Sequence, residues 1–187
     1  MKKEILPAIR LTVVCILFFS GVYSVFVWGV AHLAEGKGDG VKIKGADGKE
    51  YYENVGQKFT DDKYFWSRPS AVDYHADGAG GSNKGPSNPD YLADVQKRID
   101  SFLVHNHGVN KSNIPADLVT ASGSGLDPDI SVQGAKVQVK RIAEVRHIPE
   151  DKVAQLVISH VEKPLMGLFG TEKVNVLKLN IDLDNLK

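Results

Sequence analysis

The sequence predicts an α+β protein: a single N-terminal transmembrane helix followed by one mixed α/β extracytoplasmic domain rich in ordered loops. Three observations predict it. Residues 11–34 read LTVVCILFFSGVYSVFVWGVAHLA, without an Asp, Glu, Lys or Arg. Beyond them, apolar residues recur at helical spacing in some segments and alternate with polar ones in others. Between those segments lie two long stretches, 59–89 and 114–130, full of Gly, Ser, Asn, Asp and Pro and with little periodicity.

The apolar run comes first. At 1.5 Å per residue, Leu11–Leu33 spans roughly 34 Å, slightly more than a hydrocarbon core of about 30 Å. Leu11, Phe18, Phe26, Trp28 and Leu33 mark its length, with Trp28 and His32 suited to the far interface. Lys2, Lys3 and Arg10 precede the run, and Glu35, Lys37 and Asp39 follow it. That bias is expected to keep residues 1–10 in the cytoplasm, residues 11–33 in the membrane and residues 34–187 outside. A cleaved signal peptide is the rival reading, but the apolar run continues through Val25, Phe26, Val27, Trp28 and Val30, past a usual signal core. Cys15 follows Val14, not the small residue a lipoprotein site needs, and is expected to act as a small apolar side chain.

The 187-residue chain balances 23 basic against 23 acidic side chains, which speaks against a nucleic-acid surface. Cys15 is the only cysteine, so the outer domain holds no disulfide and must rely on packing or a partner.

Along the outer domain, Val41–Ile43 and Tyr51–Val55 flank an Asp47-Gly48 turn signal and predict a short hairpin. The 59–89 stretch is expected to be an ordered binding loop, because Phe59, Tyr64, Phe65, Trp66 and Tyr74 need something to pack on. Asn88-Pro89-Asp90 starts a helix with a cap, a Pro in the first turn and an early carboxylate. Leu92, Val95, Ile99, Phe102 and Leu103 give it one buried face, and Asn106 and Gly108 end it. After the second irregular stretch, Ser131 caps a helix that buries Val132, Ala135, Val139, Ile142 and Ala143. Pro149 opens another, with Val153, Leu156, Val157 and Val161 on one side, stopped at Pro164. Leu177, Leu179, Ile181 and Leu183 alternate with polar residues and predict a half-buried closing strand. Val174 and Val176 fall on its other phase, which calls for a bulge or for burial on both faces.

Three constellations invite chemistry, and each fails a physical test. Gly78–Gly85 (GAGGSNKG) lacks the Gly-Lys-Ser/Thr ending of a phosphate loop, follows no apolar strand and is interrupted by Pro86. Neither Ser122 nor Ser124 has the flanking glycines of a nucleophile elbow, so local hydrogen bonding of Thr120, Ser122 and Ser124 to the backbone is the expectation. Asp73, His75, Asp77, His105 and His107 offer ligands, but the two His sit at a helix end, where such residues are ordinary, and no metal or catalytic residue is assigned. There is no Asp-Lys-Thr-Gly phosphorylation motif, no Walker sequence and no second spanning helix. Taken alone, these residues describe an accessory or interaction protein.

The irregular stretches are also the ones that resemble a known family. Arg68-Pro69-Ser70-Ala71, Gly80-Gly81-Ser82-Asn83 and Gly85-Pro86-Ser87-Asn88-Pro89 resemble the C subunit of the Kdp high-affinity potassium-transporting P-type ATPase. So do residues 115–128, PADLVTASGSGLDP, then Gly56-Gln57 with Phe59, and Val174–Leu177 with Leu179-Asn180. Lys84 and Lys140 depart from the family's usual apolar residue and Pro.

The resemblance implies a subunit of an inner-membrane complex that imports potassium at the expense of ATP. Its partners would be a potassium-translocating channel-like subunit, a P-type ATPase subunit and a small single-helix subunit. The family is described as a catalytic chaperone that raises the ATPase subunit's affinity for ATP. The complex would handle ATP and potassium, with no cofactor bound directly by this chain. An outer domain sees no ATP, so the effect is expected to be indirect, through helix packing or a bias on the translocating subunit's conformations.

The expected contact surface is the pair of loops 68–89 and 115–130. Its residues are Arg68, Ser70, Gly80, Gly81, Ser82, Asn83, Ser87 and Asn88 on the first loop, and Thr120, Ser122, Ser124 and Asp127 on the second. The loops either dock on the outer face of the translocating subunit or pack on one another to complete the fold. The competing functions are a direct ATP-binding module and an anchored envelope hydrolase.

Overall fold

The computed structural model describes residues 2–45 and 47–186, which divide into two compact units, Met1–Lys42 and Ile43–Lys187.

In the first unit a helix runs over Glu4–Ala31 and is long and apolar enough to cross a membrane. It is α-helical over Lys2–Ile16 (α1) and Ser24–Ala31 (α2), while Leu17–Tyr23 between them widens into a π-helical stretch. Ser24 Oγ donates to the Phe19 carbonyl at 3.1 Å, giving that acceptor a partner where lipid would offer none. Leu11, Phe18, Phe26, Trp28 and Leu33 all turn outward. The helix starts before Leu11 and stops short of Leu33. Helical hydrogen bonding begins among polar residues that the apolar run excludes, and after Ala31 the chain passes into a 3-10 turn, Glu35–Gly38, where Gly36, Lys37 and Gly38 take positive φ.

In the second unit β1 (Lys42–Lys44) and β2 (Glu50–Tyr52) pair as the expected hairpin, although β1 begins at the unit boundary. Asp47 fastens the turn by accepting from Lys49 N at 3.0 Å and from the Tyr51 hydroxyl at 2.7 Å. The 59–89 stretch has no helix or strand before Pro89, yet Phe65 within it is fully buried. Then α3 (Pro89–His105) starts where Asn88 Oδ1 accepts from Tyr91 N.

A short 3-10 turn, Lys111–Asn113, precedes the second irregular stretch, which forms another at Ala116–Leu118 and runs into β3 (Asp129–Ser131). Ser131 caps the next helix as expected, accepting from Gly134 N at 2.9 Å. The single helix expected from Val132 to Ala143 is instead two, α4 (Val132–Lys136) and α5 (Val139–Arg146). The interruption puts Gln138 in the interior, where its amide serves another segment. After α6 (Glu150–Ser159), Val161 lies not on that helix but in β4 (Val161–Glu162).

The largest departure is the chain end. β5 (Lys173–Asn175) is a strand, but Val176–Asn185 is a helix, α7. Asn175 Oδ1 accepts from Lys178 N and caps it. Val176, Leu179, Asn180 and Leu183 form a buried helical face at i, i+3, i+4 and i+7, a pattern that alternation at 177, 179, 181 and 183 conceals. The two phases of valine thus reflect a change from strand to helix at Asn175.

β5 is the central strand of an antiparallel sheet ordered β3-β5-β4, with Val174 opposite both Ile130 and Val161. Ile130 and Val174 join Phe65, Phe102, Leu118, Ile142, Val153, Val157, Leu179 and Leu183 in one core. That cluster removes apolar surface from water and stands in for the absent disulfides.

Candidate interaction site

Residues 62–66 of the first irregular stretch are positioned from beneath by buried polar side chains. Asn180 Oδ1 accepts from Phe65 N at 2.8 Å and its Nδ2 donates to the Phe65 carbonyl at 2.9 Å. Gln138 Oε1 accepts from Trp66 N at 2.8 Å, and its Nε2 donates to Gly134 O at 3.0 Å and to Trp66 O at 3.4 Å. Two side-chain amides therefore play the part of neighbouring strands for two consecutive loop residues. A segment that pairs with no strand can be buried this way without orphaned backbone groups.

Arg141 ties the same segment laterally. Its Nε donates to Asn106 Oδ1 at 2.9 Å, one terminal nitrogen to Gln138 Oε1 at 2.8 Å, and the other to the carbonyls of Tyr64, at 3.1 Å, and Asp62. Its guanidinium lies 4.7 Å from the centre of the Trp66 ring. Burial pushes its pKa down to about 10, against the pull of Asp62 and Asp61. At neutral pH it stays charged, with a partner for each of its three nitrogens.

Above this base the two loops interlock. Ser122 N donates to Pro69 O at 3.0 Å, Gly80 N to Ser124 O at 2.8 Å, and Gly56 N to Leu126 O at 2.7 Å. Arg68 and Asp127 form an ion pair at 2.7 Å between half-buried side chains. Ser70 Oγ accepts from Val72 N and Tyr74 N, and the Tyr74 hydroxyl donates to the Arg68 carbonyl. Burial raises the Tyr74 pKa to about 12. Gly125, at φ +70°, leaves no room for a side chain: a Cβ there would stand 2.5 Å from Val72 Cγ2.

The candidate residues thus fall into groups. Arg68, Ser70, Gly80, Gly81, Ser122, Ser124 and Asp127 come together in the loop–loop contact. Thr120 and Ser124 hydrogen-bond locally, to Ala116 O and from Leu126 N, as expected, while the Ser122 side chain is buried. Asn88 caps α3. Ser82, Asn83 and Ser87 are exposed and not drawn into the contact. Lys84 and Lys140, the two departures from the family pattern, are exposed and pair with Asp94 and Glu144.

The Gly-rich segment does not run into an open helix terminus, because Pro89 carries no N–H and Asn88 already occupies the N–H of Tyr91. Among the described residues no three His, Cys, Asp or Glu side chains converge to hold a metal ion, and His105 pairs with Asp62 at 2.9 Å.

Composition and spacing did not reveal a groove of about 480 Å³ beside the loops. Phe59, Trp66, Tyr74 and Phe102 line it together with Lys58, Lys97, Arg98 and His105. Its residues come from the 58–74 segment, from one face of α3 and from Leu118, and no sequence spacing links those three parts.

The family model for KdpC, the K+-transporting ATPase c chain, matches residues 5–185. The potassium-transporting ATPase KdpC subunit of Flavobacterium psychrophilum is 52% identical over 185 residues, 99% of this chain and 100% of that one. The same subunit of Flavobacterium johnsoniae is 52% identical over 99% of this chain and all of its own. That of Bacteroides fragilis is 50% identical over 99% of this chain and 98% of its own. With the match running through the anchor, both interlocked loops and α7, the chain belongs to the KdpC family of K+-transporting ATPase c chains.

Proposed function

We propose that this chain is a non-catalytic accessory subunit of an ATP-driven potassium import complex. It is held in the inner membrane by one helix, with residues 1–10 in the cytoplasm and its domain outside. The observation that carries this reading is the family match over residues 5–185. The partners are a potassium-translocating subunit, a P-type ATPase subunit and a small single-helix subunit. The chain serves assembly and raises the ATPase subunit's affinity for ATP indirectly, by contacts that differ between conformations of the complex. The docking face is the interlocked pair 68–89 and 115–130, with Ser82, Asn83 and Ser87 outermost. Its support is that the two loops already hold one another through Ser122–Pro69, Gly80–Ser124 and the Arg68–Asp127 pair, so little ordering cost remains on binding.

Purification through a C-terminal tag tests this. The large subunits are expected to copurify, and potassium-stimulated ATPase activity should fall when this chain is omitted. Replacing Ser82 and Ser87 by Trp should reduce copurification without unfolding the domain, and full retention would move docking to another face. A tag that protease reaches only after the membrane is breached would overturn the orientation.

A second reading, direct nucleotide binding, is favoured by the cationic and aromatic groove at Lys58, Lys97 and Trp66. Saturable ATP binding to the purified full chain, lost on Lys97→Glu, would establish it; no saturable binding would remove it.

A further inference from the structure

Between β4 and β5 the chain makes a tight turn, 164–170, with sequence PLMGLFG. Leu165, Met166, Leu168 and Phe169 are 69%, 83%, 80% and 64% exposed. Elsewhere in the domain, exposed large apolar residues such as Val145 and Ile158 stand singly on helices, which is ordinary. Four within five residues at one tip is not.

Two further features restrict what covers this tip. Its backbone is largely satisfied from within: Leu165 N donates to Phe169 O at 2.9 Å, Phe169 N to Leu165 O at 3.0 Å, Gly167 N to Pro164 O at 2.9 Å and Leu168 N to Leu165 O at 3.1 Å. Lipid requires such self-pairing, whereas water or a protein surface does not. The base of the turn is charged, with Glu162 and Lys163 on one side and Glu172 and Lys173 on the other. Apolar tip and charged base match the depth profile of a bilayer interface, where long cationic side chains stay at headgroup level.

The chain itself brings lipid within reach. From Ala31, where the spanning helix stops, to Ile43, where the domain begins, the connection extends at most roughly 40 Å even when fully stretched. A domain so tethered meets the bilayer at high effective concentration, and a small insertion suffices to hold it. We propose that Leu165–Phe169 inserts into the bilayer interface as a second, reversible membrane contact, with the exposed Lys163 among the headgroups. The proposal rests on membrane anchoring and not on the docking face described above.

The full chain carrying Cys15→Ser and Met166→Cys, labelled with an environment-sensitive fluorophore and reconstituted alone in phosphatidylcholine–phosphatidylglycerol vesicles, tests it. The expected result is blue-shifted emission that loses intensity when lipids with a doxyl quencher in the acyl chain are included. Adding Leu165→Ser and Phe169→Ser should return the emission to its value in water. Three results overturn the proposal. One is water-like emission in vesicles, and another is quenching that survives the two serine substitutions. The third is a shift that appears only in the assembled complex and ignores the doxyl lipids, which would assign the tip to a partner protein.

Discussion

Asn180 on α7 holds Phe65 by both backbone groups, at 2.8 and 2.9 Å, although 115 residues separate them. A side-chain amide thereby substitutes for a β-ladder partner. Asn180→Leu keeps the volume but leaves a buried N–H and C=O unpaired. It should destabilise the chain by about 2–4 kcal/mol, read as a lower urea midpoint for the detergent-solubilised protein. A change under about 0.5 kcal/mol would mean that water reaches Phe65.

Arg141 makes a different kind of contact, because its fork reaches Asn106, Gln138 and two carbonyls at once. A lysine offers one point charge and cannot span them. Arg141→Lys should therefore cost nearly as much as Arg141→Met, about 3–5 kcal/mol in each case. Trp66 fluorescence should report the loss of the stacked guanidinium. Rescue by Lys would show that charge alone matters.

Gly125 tests the interlock. Gly125→Ala forces a Cβ toward Val72 at a positive φ, and the loops must part to admit it. The expected cost is about 1–3 kcal/mol, with faster proteolysis in 68–89 than in the parent chain. Gly78→Ala, where the space is open, should leave both readings unchanged.

The pH dependence follows from carboxylates at turns. The Tyr51 hydroxyl holds Asp47 below its usual range, the Lys63 backbone N–H does the same for Asp61, and the Lys58 ammonium for Asp73. Each folded-state pKa lies below the unfolded value. Their stabilisation is therefore present above the ordinary carboxylate pKa of 3.8 and is lost as pH falls through the folded values. Denaturant midpoints should decline below about pH 4. In Asp61→Asn the decline should be shallower.

Much of this was legible in the residues. Asn88 and Ser131 announce their helices because a cap is a local device: the side chain bonds to a backbone N–H three residues on. The anchor is legible for a similar reason, since length and apolarity are summed along the chain. The strand expected at Leu177–Leu183 was misread because a run of ten residues satisfies both periods, and burial of Asn180 depends on Phe65, a distant partner. The same holds for the break at Gln138, which no breaker residue marks.

By itself, then, the sequence determined a membrane-anchored α+β chain, where its capped helices start and which family it resembles. Those properties are local or additive. Tertiary structure alone decided that α7 is a helix, that Gln138, Arg141 and Asn180 hold residues 62–66, and that the two loops form one face. It also decided that the 165–169 tip stands exposed. Each depends on which groups meet across long stretches of chain, and a buried polar group is stable only where its partner is supplied.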